Sequence, residues 1–176
     1  MADAATLAER ALCFRSRAPE ATRRAAAGLA RAWLATSGGA GLVVSLSGPL
    51  GAGKTVFVKG LADGVGVDAG LVSSPTFVLA NEYPAPDGVA LHHVDFYRIE
   101  QAVELEEMGF FDLMAPGALL AVEWGERFEH ALPRERIDVS IAPEGERERR
   151  LDVVARGDLA GAVLASWQGA NDLRGE

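Results

Sequence analysis

An α/β fold is expected for this chain: one domain over residues 1–176, with a mainly parallel sheet, an antiparallel part and helices on both faces. Two observations lead there. Short apolar runs bounded by glycine or proline, the mark of buried strands, alternate with stretches whose apolar residues recur at helical spacing. That alternation is how a parallel sheet with crossover helices is written in sequence. Near the end, two strand-like runs flank Pro143-Glu144-Gly145 and look like an antiparallel hairpin. A length of 176 residues suits a single core, and no internal repeat or long linker divides it.

The elements follow in order. Ala21–Leu34 carries apolar residues at helical spacing without proline; Pro19 precedes it and Ser37-Gly38-Gly39 ends it. Gly41–Ser47 (GLVVSLS) reads as a buried strand. The next helix runs from Gly53 to about Val65 and closes on Gly64 and Gly66. Thr76–Ala80 and Val89–Val94 read as strands across a turn at Pro84-Ala85-Pro86-Asp87-Gly88. Ala102–Met108 is a short acidic helix before Gly109, and Ala118–Glu123 an apolar strand running into Trp124-Gly125. Ile137–Ile141 and Arg150–Val154 form the hairpin, and Leu159–Trp167 the last helix. The chain ends are expected to fray.

Composition narrows the function classes. The net charge of −8 argues against a surface that is a nucleic-acid footprint as a whole, so no DNA contact is expected. No apolar run approaches the roughly 18–20 residues that cross a bilayer, and Met1-Ala2-Asp3-Ala4-Ala5 lacks the order of a secretory signal. The single cysteine, Cys13, forms no disulfide within the chain and fits a reducing, cytoplasmic setting, where it is expected to be a small buried apolar side chain. Arginine supplies nearly all the basic residues; the only lysines are Lys54 and Lys59.

One of those lysines lies in Gly48-Pro49-Leu50-Gly51-Ala52-Gly53-Lys54-Thr55, a full match to G-x-x-x-x-G-K-[ST]. Each part has a chemical reason. Glycines let the backbone curl so that successive N–H groups point inward at phosphate oxygens. The helix beginning at Gly53 adds its positive end. Lys54 reaches the β- and γ-phosphates and the Thr55 hydroxyl ligates Mg²⁺. The expected phosphate binders are therefore Leu50, Gly51, Ala52, Gly53, Lys54 and Thr55.

Such a site also needs an acid to hold Mg²⁺ and a group to orient water, and in open α/β sheets these sit at the carboxyl ends of strands. Asp95, after Val89–Val94, and Glu123, after Leu119–Val122, meet that requirement. Glu104, Glu106 and Glu107 read instead as a solvated helix face. His92 and His93 alternate faces of one strand, and without a third histidine or a cysteine nearby they do not suggest zinc. Trp124 reads as core packing or as a contact surface.

Beyond the phosphate loop, five further segments in register resemble the bacterial TsaE (YjeE) family: Ser74-Pro75-Thr76-Phe77, Asn81-Glu82-Tyr83, His93-Val94-Asp95-Phe96-Tyr97-Arg98, Glu104-Leu105-Glu106-Glu107-Met108-Gly109 and Val122-Glu123-Trp124. The resemblance spans about Ala21 to Arg136. It implies an ATPase of tRNA threonylcarbamoyladenosine biosynthesis, working with TsaB and TsaD and meeting tRNA through that complex. It further implies that Thr76 lies on a switch-like loop near the γ-phosphate, that Asp95 is the Walker B-like acid, and that Glu123 lies near Mg²⁺ and the attacking water. Lys54, Asp95 and Glu123 are the catalytic candidates and Thr55, Asp95 and Glu123 the metal candidates, with Trp124 as a partner contact. Pro49 departs from the acidic residue that relatives commonly carry. It has no N–H to donate, but it lies early in the loop, before the main donors, and is expected to be tolerated.

Two other classes share the phosphate loop. A small-molecule P-loop kinase wants an arginine-bearing lid; Arg147, Arg149 and Arg150 are available, but strand alternation explains them more simply. A GTPase wants N-K-x-D, which is missing, and Asp63-Gly64-Val65-Gly66 closes a helix rather than a strand. No arginine is clearly placed as a finger. Arg98 is nearest in sequence, and slow hydrolysis without partners is the expectation.

Overall fold

A computed structural model describes residues 10–170; the expected fraying of the chain ends concerns positions outside that range. The strands are β1 (Arg10–Ser16), β2 (Leu42–Ser47), β3 (Ala80–Pro84), β4 (Ala90–Asp95), β5 (Ala118–Glu123), β6 (Arg136–Pro143) and β7 (Arg149–Arg156). The helices are α1 (Pro19–Thr36), α2 (Lys54–Val65), α3 (Val103–Glu107) and α4 (Asp158–Ala170). Proline suits the start of α1 because the first helical N–H groups have no intrahelical partner, and alanine, arginine and leucine, which favour helix, fill its interior.

All seven strands join one sheet in the order β1-β7-β6-β2-β5-β4-β3. Its centre, β6-β2-β5-β4, is parallel. β7 and β1 extend one edge antiparallel, and β3 pairs antiparallel with β4 at the other. β2, β4 and β5 are buried on both faces, β5 along its whole length, whereas β6 leaves Ser140 exposed. That explains why β2 and β5 read as mostly apolar runs while β6 alternates.

The two faces are covered unequally. α1, α2 and α4 pack over Leu42, Val44 and Leu46 and the side chains beside them on β5, β6 and β7. The opposite face is closed by α3 and two 3-10 segments, Phe110–Leu113 and Gly125–Ala131, around Val43, Leu120, Val122 and Phe96. α2 sits very close to α1. A Cβ on Gly60 would lie 2.2 Å from the Arg23 carbonyl oxygen, and one on Gly64 would lie 2.5 Å from that of Ala27. Fully buried Phe57 and Leu61 anchor α2 below, each contributing about 1.5–3 kcal/mol.

Two expectations are corrected and one strand is added. Of the expected strand Thr76–Ala80, residues 76–79 are a turn: Val78 and Leu79 both donate their N–H to the Pro75 carbonyl, Leu79 takes φ 68°, and Phe77 is 85% exposed. Its apolar residues suggested burial that the fold does not provide, and the strand instead starts at Ala80 and runs through the polar Asn81 and Glu82. β1 went unrecognised because it is a short edge strand whose one face, Ala11, Cys13 and Arg15, is exposed. Cys13 lies on it, exposed. It faces Asp152 on β7, and hydrogen bonding to that carboxylate raises the thiol above its ordinary value.

Register decides where chemistry is possible. Asp95 pairs with Glu123 across β4 and β5, and Glu123 pairs with Leu46 on β2. The carboxyl ends of three neighbouring parallel strands therefore meet beside the loop that follows β2.

Candidate nucleotide-phosphate site

The loop after β2 is shaped by close approach. Gly48 has φ 137°, and a Cβ there would lie 2.3 Å from the Ile141 carbonyl oxygen. Gly53 caps α2 at φ 107°, a conformation that L side chains avoid. Lys54, only 4% exposed, folds back so that Nζ donates to the carbonyl oxygens of Gly48 at 2.7 Å and Pro49 at 3.0 Å. The same Nζ lies 3.9 Å from the ring centroid of Trp124. Burial lowers its pKa, with Glu123, Glu126 and Asp95 opposing that shift. Pro49 thus takes part through its carbonyl, which also accepts from the Ala52 N–H at 3.1 Å.

The two acids are buried and held. Thr55 Oγ1 donates to Glu123 Oε1 at 2.7 Å, and His93 Nε2 lies 2.9 Å from the same oxygen. Asp95 Oδ2 accepts from Thr76 Oγ1 at 2.6 Å, and Oδ1 accepts from the Tyr97 N–H at 2.8 Å. Ser74 Oγ lies 2.7 Å from Thr76 Oγ1. Thus the turn that replaces the expected strand is tied to β4 by a hydroxyl–carboxylate bond. Trp124 follows β5 at φ 60°, unusual for a bulky residue, and its ring stands beside Tyr97 at 5.1 Å.

A cleft of about 390 Å³ joins these groups. Leu50, Gly51, Gly53, Lys54, Thr55, Thr76, Asp95, Glu123 and Trp124 all line it, as the sequence reading requires of one site. Ala52 does not: its N–H is committed to Pro49 and its methyl is buried in the core. Arg98 is elsewhere, with its guanidinium carbon 5.2 Å from the centroid of the Phe77 ring.

Three contributors escaped the sequence reading. Tyr97 lines the cleft against Trp124, a role its motif does not specify. His93 was considered only for zinc. Arg149 was set aside as hairpin alternation, yet its Nε donates to the Ala52 carbonyl at 2.9 Å and braces the loop from β7. No local signal marks Arg149, because its partner is far away in the chain. Glu104 is less solvated than expected: its Oε1 accepts from the N–H groups of Glu100 and Gln101 and closes the start of α3.

Among the described residues no group of three or more His, Cys, Asp or Glu side chains is placed to cage a metal alone. The Thr55 hydroxyl with the Asp95 and Glu123 carboxylates is nonetheless an all-oxygen set. It suits Mg²⁺ when phosphate and water fill the remaining positions. These residues fit that ion and would be the ones to hold it.

The comparisons with known proteins speak to the family and the fold. A family model described as threonylcarbamoyl adenosine biosynthesis protein TsaE matches residues 16–151. The chain belongs to the TsaE family. TsaE relatives include the tRNA threonylcarbamoyladenosine biosynthesis protein TsaE of Bacillus subtilis, 41% identical over 119 residues, covering 67% of this chain and 72% of the relative. The protein of that name from Streptomyces coelicolor is 39% identical over 124 residues, 68% of this chain and 83% of its own. The Haemophilus influenzae TsaE is 33% identical over 126 residues, 72% and 78%. Among solved structures, the crystal structure of Bacillus subtilis YdiB superposes with a TM-score of 0.70 at 32% identity, covering 94% of this chain and 99% of that one.

Proposed function

We propose that this TsaE-family chain binds and hydrolyses ATP with Mg²⁺ and so supports turnover of a TsaB–TsaD complex that modifies tRNA with threonylcarbamoyladenosine. The observation that carries the reading is the convergence of Lys54, Thr55, Thr76, Asp95 and Glu123 on one cleft at the strand ends. The relatives' names supply the pathway.

On this reading Lys54 exchanges the Gly48 and Pro49 carbonyls for the β- and γ-phosphates, and backbone N–H groups of the loop receive the phosphate oxygens. Mg²⁺, held through Thr55, Asp95 and Glu123, would neutralise charge on the phosphates. Glu123 orients the attacking water, and Thr76 senses the γ-phosphate while tied to Asp95. Neither Arg98 nor Arg149 serves as a finger: the first leans on Phe77 and the second braces the back of the loop. The isolated chain is therefore slow, and partner binding, read through Trp124, completes the site. Contact with tRNA is through the complex. A cytoplasmic location belongs to the same proposal; no helix among the described residues is long and apolar enough to cross a membrane.

The test is ATP turnover measured with and without the cognate TsaB and TsaD. Slow basal release of phosphate that rises clearly on adding both supports the reading. Fast hydrolysis unchanged by partners overturns the dependence on them, and phosphate transferred to a metabolite makes the chain a kinase.

A further inference from the structure

We infer that His93 is a positioning residue for Glu123: its Nε2–H, together with the Thr55 hydroxyl, fixes one carboxylate oxygen so that the other is presented to the water-bearing side of the cleft. The inference rests on the reading of Glu123 as the group that orients water.

Three observations carry it. His93 is fully buried at 0% exposure on β4, on the sheet face that α2 covers, and Glu123 is itself only 4% exposed. Both donors converge on the same atom: Thr55 Oγ1 reaches Glu123 Oε1 at 2.7 Å and His93 Nε2 reaches it at 2.9 Å, while Oε2 accepts no hydrogen bond from any described residue. And His93 Nδ1 is buried without a partner among the described residues.

Together these fix the proton. A carboxylate only accepts hydrogen bonds, so Nε2 must carry hydrogen. The other tautomer would set two lone pairs against each other at 2.9 Å and leave a buried Nδ1–H unsatisfied. A histidine locked this way cannot take a proton at Nε2 from water; it orients. Two donors on Oε1 remove the freedom of the carboxylate to swap its oxygens. They also keep an acceptor in place for the Thr55 proton when the Thr55 oxygen turns a lone pair toward a cation. Neighbours of this kind, behind the groups that touch the reaction, commonly decide whether those groups are aligned.

The experiment has two arms. In the first, nitrogen-15 imidazole spectra of the wild-type chain are expected to show His93 protonated at Nε2, its proton protected from exchange; the Nδ1–H tautomer overturns the inference whatever the activity. In the second, ATP turnover with partners is compared for wild type, His93→Leu and His93→Gln, with nucleotide affinity and melting measured alongside. His93→Leu removes the donor and is expected to lower kcat by roughly 10–100-fold while KM and nucleotide Kd stay within about threefold. Gln carries an amide N–H at a similar reach from Cβ, so His93→Gln is expected to recover most of kcat.

Wild-type kcat in a folded His93→Leu protein overturns the inference, as does a folded His93→Gln protein no faster than His93→Leu. Should His93→Leu not fold, His93→Gln decides. A kcat within about fivefold of wild type supports the inference, and a loss of about tenfold or more in folded protein overturns it. A wild type that binds no ATP sinks the ATPase reading instead and leaves the imidazole spectrum to judge the placement of His93.

Discussion

Adding one methyl group at Gly60 tests how the fold holds its site. The new Cβ would lie 2.2 Å from the Arg23 carbonyl oxygen and 2.6 Å from the Ala26 Cβ. Carbon–oxygen contacts normally stop near about 3.3 Å, so α1 and α2 must part by about 1 Å. Neither obstacle is the loose end of a flexible side chain, which puts the strain at the upper end of the usual overpacking cost, about 3 kcal/mol. Against this, alanine is about 1 kcal/mol better than glycine inside a helix. The net is a loss of about 2 kcal/mol, which for a domain of this size lowers Tm by about 4–8 °C. Gly161 on α4 is the matched control: its added Cβ meets only the Arg10 Cδ, at 4.0 Å, so Gly161→Ala keeps the propensity gain and raises Tm by about 2–4 °C. α2 begins at Lys54, about 9 Å along the axis from Gly60 at about 1.5 Å per residue. A displaced α2 carries Lys54 and Thr55 with it, so Gly60→Ala is also expected to weaken nucleotide binding and Gly161→Ala to leave it unchanged. Thermal melts and nucleotide titrations read both. A Gly60→Ala protein melting at or above wild type refutes the argument that α1 and α2 touch through glycine.

Lys54→Ala is expected to abolish hydrolysis and weaken nucleotide binding while the fold persists, since the methylenes lost lie at the cleft; wild-type turnover by this variant would dismiss the cradle. Trp124→Ala should leave basal hydrolysis slow and remove the stimulation by TsaB and TsaD. A finger supplied in trans is worth roughly 10³–10⁵ in rate, so the loss is large and easily read. Acidification tests His92. Burial lowers its pKa below the ordinary 6.5, with Glu82 opposing. The unfolded chain therefore binds that proton more readily, and stability contributed above about pH 6.5 is lost as pH falls from there through the folded value. Chemical unfolding between about pH 8 and pH 5 should show a shallower slope in His92→Gln than in wild type, and identical slopes would remove His92 from the account.

Much of this was written in local patterns. The parallel centre was legible because β2, β4 and β5 are covered on both faces and so carry mainly apolar runs, broken only by Ser45 and by His92-His93, which end at Ser47, Asp95 and Glu123. The phosphate loop was legible because its glycines meet backbone requirements within eight residues. Asp95 and Glu123 were legible because a carboxylate at the end of a buried strand has few other reasons to be there.

Distance in the chain hid the rest. β1 owes its existence to β7, and its short run Ala11-Leu12-Cys13-Phe14, flanked by Arg10 and Arg15, has no apolar–polar alternation to mark a strand. The apolar Phe77 and Val78 suggested a strand, but Pro75 and the positive φ of Leu79 turn the chain so that Thr76 meets Asp95 and Phe77 meets water. That Asp95 stands opposite Glu123 follows from the pairing register, which no single strand specifies. The Arg149 guanidinium on the Ala52 carbonyl, 97 residues apart, and His93 on the Glu123 carboxylate, 30 apart, are contacts that only packing brings within reach. Hydrophobic period and turn chemistry act over a few residues and so survive in sequence. Hydrogen bonds between distant groups leave no local trace, because either partner alone is compatible with many folds.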